Sequence, residues 1–168
     1  MRTRTQQQFA SLAQSAYDPD AYDDNGLVQD NELSRNPSGM QLHNGFRNRI
    51  EGNRFDDSRR EHILFNETAG FAAIEANRVT GNRFSGAAAV PVFRLWSRHG
   101  GANVARFAEF SDNRYKSLPK QFAEVEGNGM LDFERWRERI AGDGDARASG
   151  SSSAGRTSPQ LTREREKE

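Results

Sequence analysis

Three histidines, at positions 43, 62 and 99, are the most versatile side chains in this 168-residue sequence. None has an i, i+4 zinc-binding spacing, and with no cysteine in the chain there is no thiolate to help hold a metal. A G-x-S-x-G elbow, a P-loop and a G-x-G-x-x-G turn are all missing, so acyl-transfer and nucleotide chemistry have no motif to start from. Two stretches imitate calcium loops. DDNGLVQDNEL (23–33) carries the central Gly and has Glu32 at the twelfth place, but Ala21 stands at the first. EVEGNGMLDFER (124–135) has Glu124, Glu126, Asn128 and Gly129 in order, then Arg135 where a bidentate Glu belongs. Each lacks one end of the carboxylate set, so no EF-hand and no resident metal is expected. Asn66-Glu67-Thr68 is a formal glycosylation sequon, relevant only in a eukaryotic secretory setting.

A more useful set shares a position in a recurring strand-like stretch: MQLHNG (40–45), HILFNE (62–67), VPVFRLW (90–96) and FAEVEG (122–127). His43 and His62 both fall in it, in adjacent copies. Side chains on a strand alternate between faces. With Leu42, Ile63, Phe65 and Val125 inward, Gln41, His43, Leu64, Asn66, Glu124 and Glu126 face out. With Phe93 and Leu95 inward, so do Val92, Arg94 and Trp96. The column His43, Asn66, Arg94, Trp96, Glu124 and Glu126 then offers imidazole, amide, guanidinium, indole and carboxylate on one rigid face. Such a surface suits an extended polysaccharide: Arg94 as a planar fork for a uronate carboxylate, Trp96 as a stacking plane, the rest for hydroxyls. The competing reading is a charged, solvated sheet face. Lyase chemistry would need a base and a separate cation to neutralise the carboxylate, and one arginine cannot do both. Binding, or a lost activity, is therefore favoured over a complete catalytic site.

The elements that position this column follow from a repeat. LVQDNEL (27–33), RIEGNRF (49–55), RVTGNRF (78–84) and EFSDNRY (109–115) fit one template: apolar, any, Asp or Gly, Asn, polar, then Leu, Phe or Tyr. The asparagines at 31, 53, 82 and 113 are 22, 29 and 31 residues apart, a period typical of stacked repeats. Each template reads as two short strands joined by a bend, with Asn in the left-handed conformation and Gly or Asp before it. Adding the recurring strand about ten residues later gives three strands per coil. The expected fold is all-β: a parallel β-helix of about four coils, with Asn31, Asn53, Asn82 and Asn113 forming an amide ladder. Ile50, Val79 and Phe110 should make one inward stack, and Phe55, Phe84 and Tyr115 another.

The remaining boundaries follow from composition. Residues 1–25 read as irregular or short-helical, since QQFASLAQSAY allows two turns, and they contain no apolar stretch of the signal-peptide type. Coils occupy 26–130. Residues 131–141 read as a capping helix presenting Leu131, Phe133, Trp136 and Ile140, and 142–168 as a disordered tail. The 24 basic residues balance the 24 acidic ones, so no whole-chain field points to nucleic acid, and no apolar run reaches membrane-spanning length.

SGMQLHNGFRNRIEGNRF (38–55) resembles a coil of the right-handed parallel β-helix repeat proteins, which include pectate-lyase-like enzymes, mannuronan epimerases and periplasmic copper-accessory β-helix proteins. The resemblance covers roughly 26–127. LDFERWRERIAGDGDARAS (131–149) is similar to the closing segment of bacterial secreted members, through Phe133, Trp136, Gly142 and Asp145. The likeness implies an extracellular or periplasmic location and a polysaccharide partner lying across the recurring strand face. Any activity would be that of a lyase, epimerase or glycoside hydrolase. It also implies further coils in a longer parent chain, calcium only if a lyase-like site were completed upstream, and no nucleic-acid or membrane partner. The alternative is a structural or adhesive repeat module without activity.

Overall fold

The computed structural model describes residues 25–98, 101–116, 119–141 and 147–149, so the expectations for 1–24 and for most of the tail lie outside the described residues. The first coil comprises β1 (Leu27–Gln29), β2 (Glu32–Ser34) and β3 (Ser38–His43); the second, β4 (Arg49–Glu51), β5 (Arg54–Asp56) and β6 (Glu61–Glu67). The third comprises β7 (Asn77–Thr80), β8 (Arg83–Ser85) and β9 (Phe93–Ser97). A 3-10 turn (Gly101–Arg106) leads into the fourth: β10 (Ala108–Ser111), β11 (Arg114–Lys116) and β12 (Ala123–Val125). Equivalent strands pair in parallel, giving a first sheet β1-β4-β7-β10, a second built on β2-β5-β8-β11 and a third on β3-β6-β9-β12. β13 (Gly129–Leu131) folds back antiparallel on β12.

The register stacks like on like. Val28, Ile50, Val79 and Phe110 align across the first sheet, and Leu33, Phe55, Phe84 and Tyr115 across the second. All are buried. Phe55, Phe84 and Tyr115 stack nearly parallel, with ring centroids 5.0 and 5.3 Å apart. Aromatic rings bury large apolar areas, which matters in a chain with only 34% hydrophobic residues.

The amide ladder forms as expected. Asn31 Nδ2 donates to Asn53 Oδ1, Asn53 Nδ2 to Asn82 Oδ1, and Asn82 Nδ2 to Asn113 Oδ1, each at 3.0 Å. The left-handed residue, however, is the one before each asparagine: Asp30, Gly52, Gly81 and Asp112 have φ of 54°, 65°, 67° and 54°. The bend is thus made by Gly or Asp, which frees the Asn side chain to point inward. A second ladder runs at the bend before the first sheet: Asn48 Oδ1 accepts from Gly26 N, Asn77 Oδ1 accepts from Asn48 N, and Asn77 Nδ2 donates to Phe107 O.

Two boundaries differ from expectation. Leu131 ends β13, and the cap proper is α1 (Phe133–Trp136), capped by Asp132 and continued by a π turn (Arg137–Ala141). Trp136 is fully buried against Phe93 and Phe110, with ring centroids 5.0 and 4.9 Å away. The tail expected to be disordered contains β14 (Arg147–Ser149), which pairs in parallel with β11. Its Arg-Ala-Ser repeats the Arg-x-Ser letters of β8, and strand pairing needs only backbone groups and a small residue opposite Tyr115.

Candidate functional site

The third sheet positions the predicted column. Met40, Ile63, Phe93 and Ala123 align inward, as do Leu42, Phe65, Leu95 and Val125, all of them buried. Between these rows lie two outward rows. One runs Gln41, Leu64, Arg94, Glu124 and Met130; the other is His43, Asn66 and Trp96. Neighbouring members of a row sit about 4.8 Å apart, the strand spacing. Trp96 is 36% exposed, and Glu126 is exposed just beyond β12. The structure therefore brings His43, Asn66 and Trp96 together in one row, places Arg94 and Glu124 in the next, and leaves Glu126 at the margin.

Two expectations for this face are corrected, and His62 takes a position that strand alternation does not give. Leu64 occupies the outward row but is buried, flanked in register by Gln41 and Arg94. Val92 is buried too, because a β-bulge breaks the alternation there: the amides of His62 and Ile63 both donate to the Val92 carbonyl. The same bulge sends His62 inward, so it does not share a face with His43. His62 is 3% exposed, packs against Phe55 and Phe84 with ring centroids at 6.4 and 5.8 Å, and shares a 3.1 Å hydrogen bond with Ser58. Burial drives its pKa down to about 4, although Asp56 and Asp57 pull the other way.

Arg94 is not a free fork. Its Nη1 donates to Glu61 Oε2 at 2.9 Å, and Nε lies 2.6 Å from Glu124 Oε2. The latter is a close charge contact in which the N–H is not aimed along the oxygen, so Nε gains Coulomb attraction without a well-formed hydrogen bond. The guanidinium also lies 5.4 Å from the Trp96 ring centroid, which fixes the indole beside it. Glu61, fully buried, accepts from Ser38 Oγ, and Arg60 Nη2 donates to the same hydroxyl at 2.8 Å. A carboxylate so enclosed is tolerated because the guanidinium and hydroxyl replace its lost hydration. Strand alternation within HILFNE does not reveal Glu61, which precedes it and opens β6.

At the other end of the outward row, His43 Nε2 is 3.2 Å from Thr68 Oγ1, which donates to Asn44 Oδ1 at 3.0 Å. The hydroxyl proton being used on Asn44, Thr68 accepts from His43 Nε2–H, and Nδ1 is left as an acceptor. Phe71, 49% exposed, sits with its ring centroid 6.2 Å from His43, an aromatic wall that the strand pattern could not reveal because it lies in a loop. Among the described residues no cluster of His, Asp and Glu suited to a metal ion occurs, and no helix is long and apolar enough to cross a membrane.

Comparison with known proteins bears on the fold and on no activity. No curated protein and no solved structure shows a significant match to the chain. Residues 21–91 match the family model described as right handed beta helix region. The same three-sheet register continues through β10, β11 and β12, beyond the matched residues. Profile and register agree on the fold: residues 21–91 match that model, and the described coils stack as a parallel β-helix.

Proposed function

We propose that this β-helix is a carbohydrate-binding module whose third sheet holds a glycan across the row His43, Asn66 and Trp96. That register, which sets an imidazole, an amide and an exposed indole side by side, is the observation that carries the reading. Trp96 supplies a stacking plane, Asn66 both donates and accepts, and His43 Nδ1 accepts from a sugar hydroxyl. A uronate polymer would need Arg94 as a free fork for its carboxylates. With Arg94 held between Glu61 and Glu124, Arg60 drawn to Ser38 and Glu126 exposed nearby, three carboxylates stand against two guanidiniums on this face. A hydroxyl-rich, uncharged glycan is the better partner here, because it meets those carboxylates as a hydrogen-bond donor without like-charge repulsion. The pairing of Arg94 also argues for binding over lyase chemistry, which needs a free cation beside the sugar carboxylate.

Titration of neutral and uronate oligosaccharides against wild type, Trp96→Ala and Asn66→Ala tests the reading. Neutral ligand should bind, and Trp96→Ala should weaken it by about tenfold, as loss of a stacking anchor does. Absence of neutral-glycan binding, or equal binding by wild type and both variants, would leave the face a structural surface of an adhesive or scaffolding repeat.

A further inference from the structure

Zero net charge conceals an uneven division among the three faces. On the first sheet Arg49 pairs with Glu51 at 3.8 Å and Arg78 with Glu109 at 3.6 Å, so its arginines are internally neutralised. The third sheet is acidic, as described above. The second sheet differs. Its outward register runs Glu32, Arg54, Arg83 and Arg114, beside a row of Ser34, Asp56, Ser85 and Lys116. Arg54, Arg83, Arg114 and Lys116 are all exposed. Among the described residues only Arg54 has a counter-charge, Asp56 at 3.4 Å, and Asp56 is itself engaged by the Ser85 hydroxyl. Among the described residues neither Arg83 nor Arg114 has a carboxylate within ion-pair distance.

Like charges directly opposite on paired strands destabilise a sheet. The fold carries this repulsion on one face while cancelling it on the other two. We infer that the Arg54–Arg83–Arg114 column of the second sheet is a binding site for a linear acidic polysaccharide. The guanidiniums repeat at the strand spacing of about 4.8 Å along a straight, rigid line. A glycan with one anionic group per ring repeats on a similar scale, so successive anions meet successive forks, and a guanidinium is shaped for two parallel bonds to a carboxylate. Nucleic acid fits less well. The outward rows of this face contain no aromatic side chain on which bases could stack, and no helix that could enter a groove. The inference is independent of the third-sheet reading, since it rests on other residues and on an anionic rather than an uncharged ligand.

The test is calorimetry of the full chain with a linear polyuronate oligosaccharide, a sulfated glycan, a neutral glycan and a single-stranded oligonucleotide of similar length. Each is run at about 50 and 200 mM salt. Wild type should bind the polyuronate or the sulfated glycan, more weakly at the higher salt. Arg83→Gln with Arg114→Gln should lose at least about tenfold, the worth of charge-assisted bonds. The charge-matched control, Arg49→Gln with Arg78→Gln on the first sheet, should stay within about twofold, since those side chains are exposed but internally paired. Trp96→Ala should leave this binding unchanged, which separates its failure from failure of the third-sheet proposal. All the substituted arginines are exposed, so circular dichroism should match wild type. Equal losses in the two arginine pairs, retention by the second-sheet variant, no binding of either anionic glycan by wild type, or tighter binding of the oligonucleotide would each overturn the inference.

Discussion

Replacing Asn82 with Ala tests the ladder where it is most enclosed. Asn82 is fully buried, and its side chain makes five hydrogen bonds. Nδ2 donates to Ile50 O at 2.7 Å, Asn113 Oδ1 at 3.0 Å and Thr80 O at 3.2 Å, while Oδ1 accepts from Asn53 N at 2.9 Å and Asn53 Nδ2 at 3.0 Å. Not every partner is stranded by the change. Thr80 O still accepts from Gly52 N, Asn53 Nδ2 still donates to Val28 O, and Asn113 Oδ1 still accepts from Asn82 N. The Asn53 amide loses the acceptor it uses here. At about 1 kcal/mol per net bond, plus the cost of a buried orphan donor, the expected loss is about 3–4 kcal/mol. Asn31→Ala is the internal control. Asn31 is half-buried at the first coil, and its Nδ2 donates only to Gln29 O and Asn53 Oδ1, so about 1 kcal/mol should be lost. Urea denaturation followed by far-UV circular dichroism, with m-values checked for constancy, reads both. Equal costs for the two variants, or less than about 1.5 kcal/mol for Asn82→Ala, would refute the view that ladder amides hold the coils in register.

Two further outcomes are expected. His62 titrates at about 4 in the folded chain against 6.5 normally, so its neutral form is what the fold accepts; the stability this confers is complete above pH 6.5 and is lost as pH falls from 6.5 toward 4. Wild type should lose up to about 3 kcal/mol across that window, and His62→Gln distinctly less in the same urea measurements; parallel pH profiles would exclude His62 as the cause. Asp56, whose pKa is lowered chiefly by the Ser85 hydroxyl, acts separately, because its contribution is lost only as pH falls below 3.8. Gly39→Ala should cost about 2–4 kcal/mol, since an added methyl would collide with the His62 carbonyl and sit 2.9 Å from Phe55 Cδ1. A thermal melt showing no loss would mean that β3 shifts freely, contrary to its tight packing on the bulge.

The fold was legible because a coil spends the same letters on the same duties. Asn31, Asn53, Asn82 and Asn113 announce a bend, and Ile50, Val79 and Phe110 announce the stack beside it. The second ladder was half visible: Asn48 and Asn77 begin both copies of the octapeptide, NRIEGNRF and NRVTGNRF. It escaped notice because backbone groups, Gly26 N and Phe107 O, serve at its two ends, so four asparagines never line up. The site was less legible. Whether Arg94 is free depends on Glu61, and the inward turn of His62 depends on a carbonyl in the next coil. Neither is encoded in strand alternation, which assumes an unbroken pleat. Phe71 lies in a loop whose path no period predicts.

A solenoid turns any repeated letter into a column, inside and outside alike. The polar position after each ladder asparagine is filled by Arg54, Arg83 and Arg114, so the register that stacks Phe55, Phe84 and Tyr115 inward must also stack three cations outward. Repetition alone therefore explains how an arginine column arises. It does not explain why, among the described residues, Arg83 and Arg114 lack the acids which settle beside Arg49, Arg54, Arg78 and Arg94. Each of those pairs is made by a residue two positions along or on a neighbouring coil, and the same places around Arg83 hold Ser85 and Arg114. Net charge, being a sum over the chain, reports none of this. In a stacked-coil protein the face is the unit on which electrostatics acts, because charges about 5 Å apart on one sheet interact strongly while those on opposite sheets are separated by a packed core and screened by salt. By that measure the protein presents one neutral face, one acidic face with an exposed tryptophan, and one basic face, and its partners are to be sought face by face.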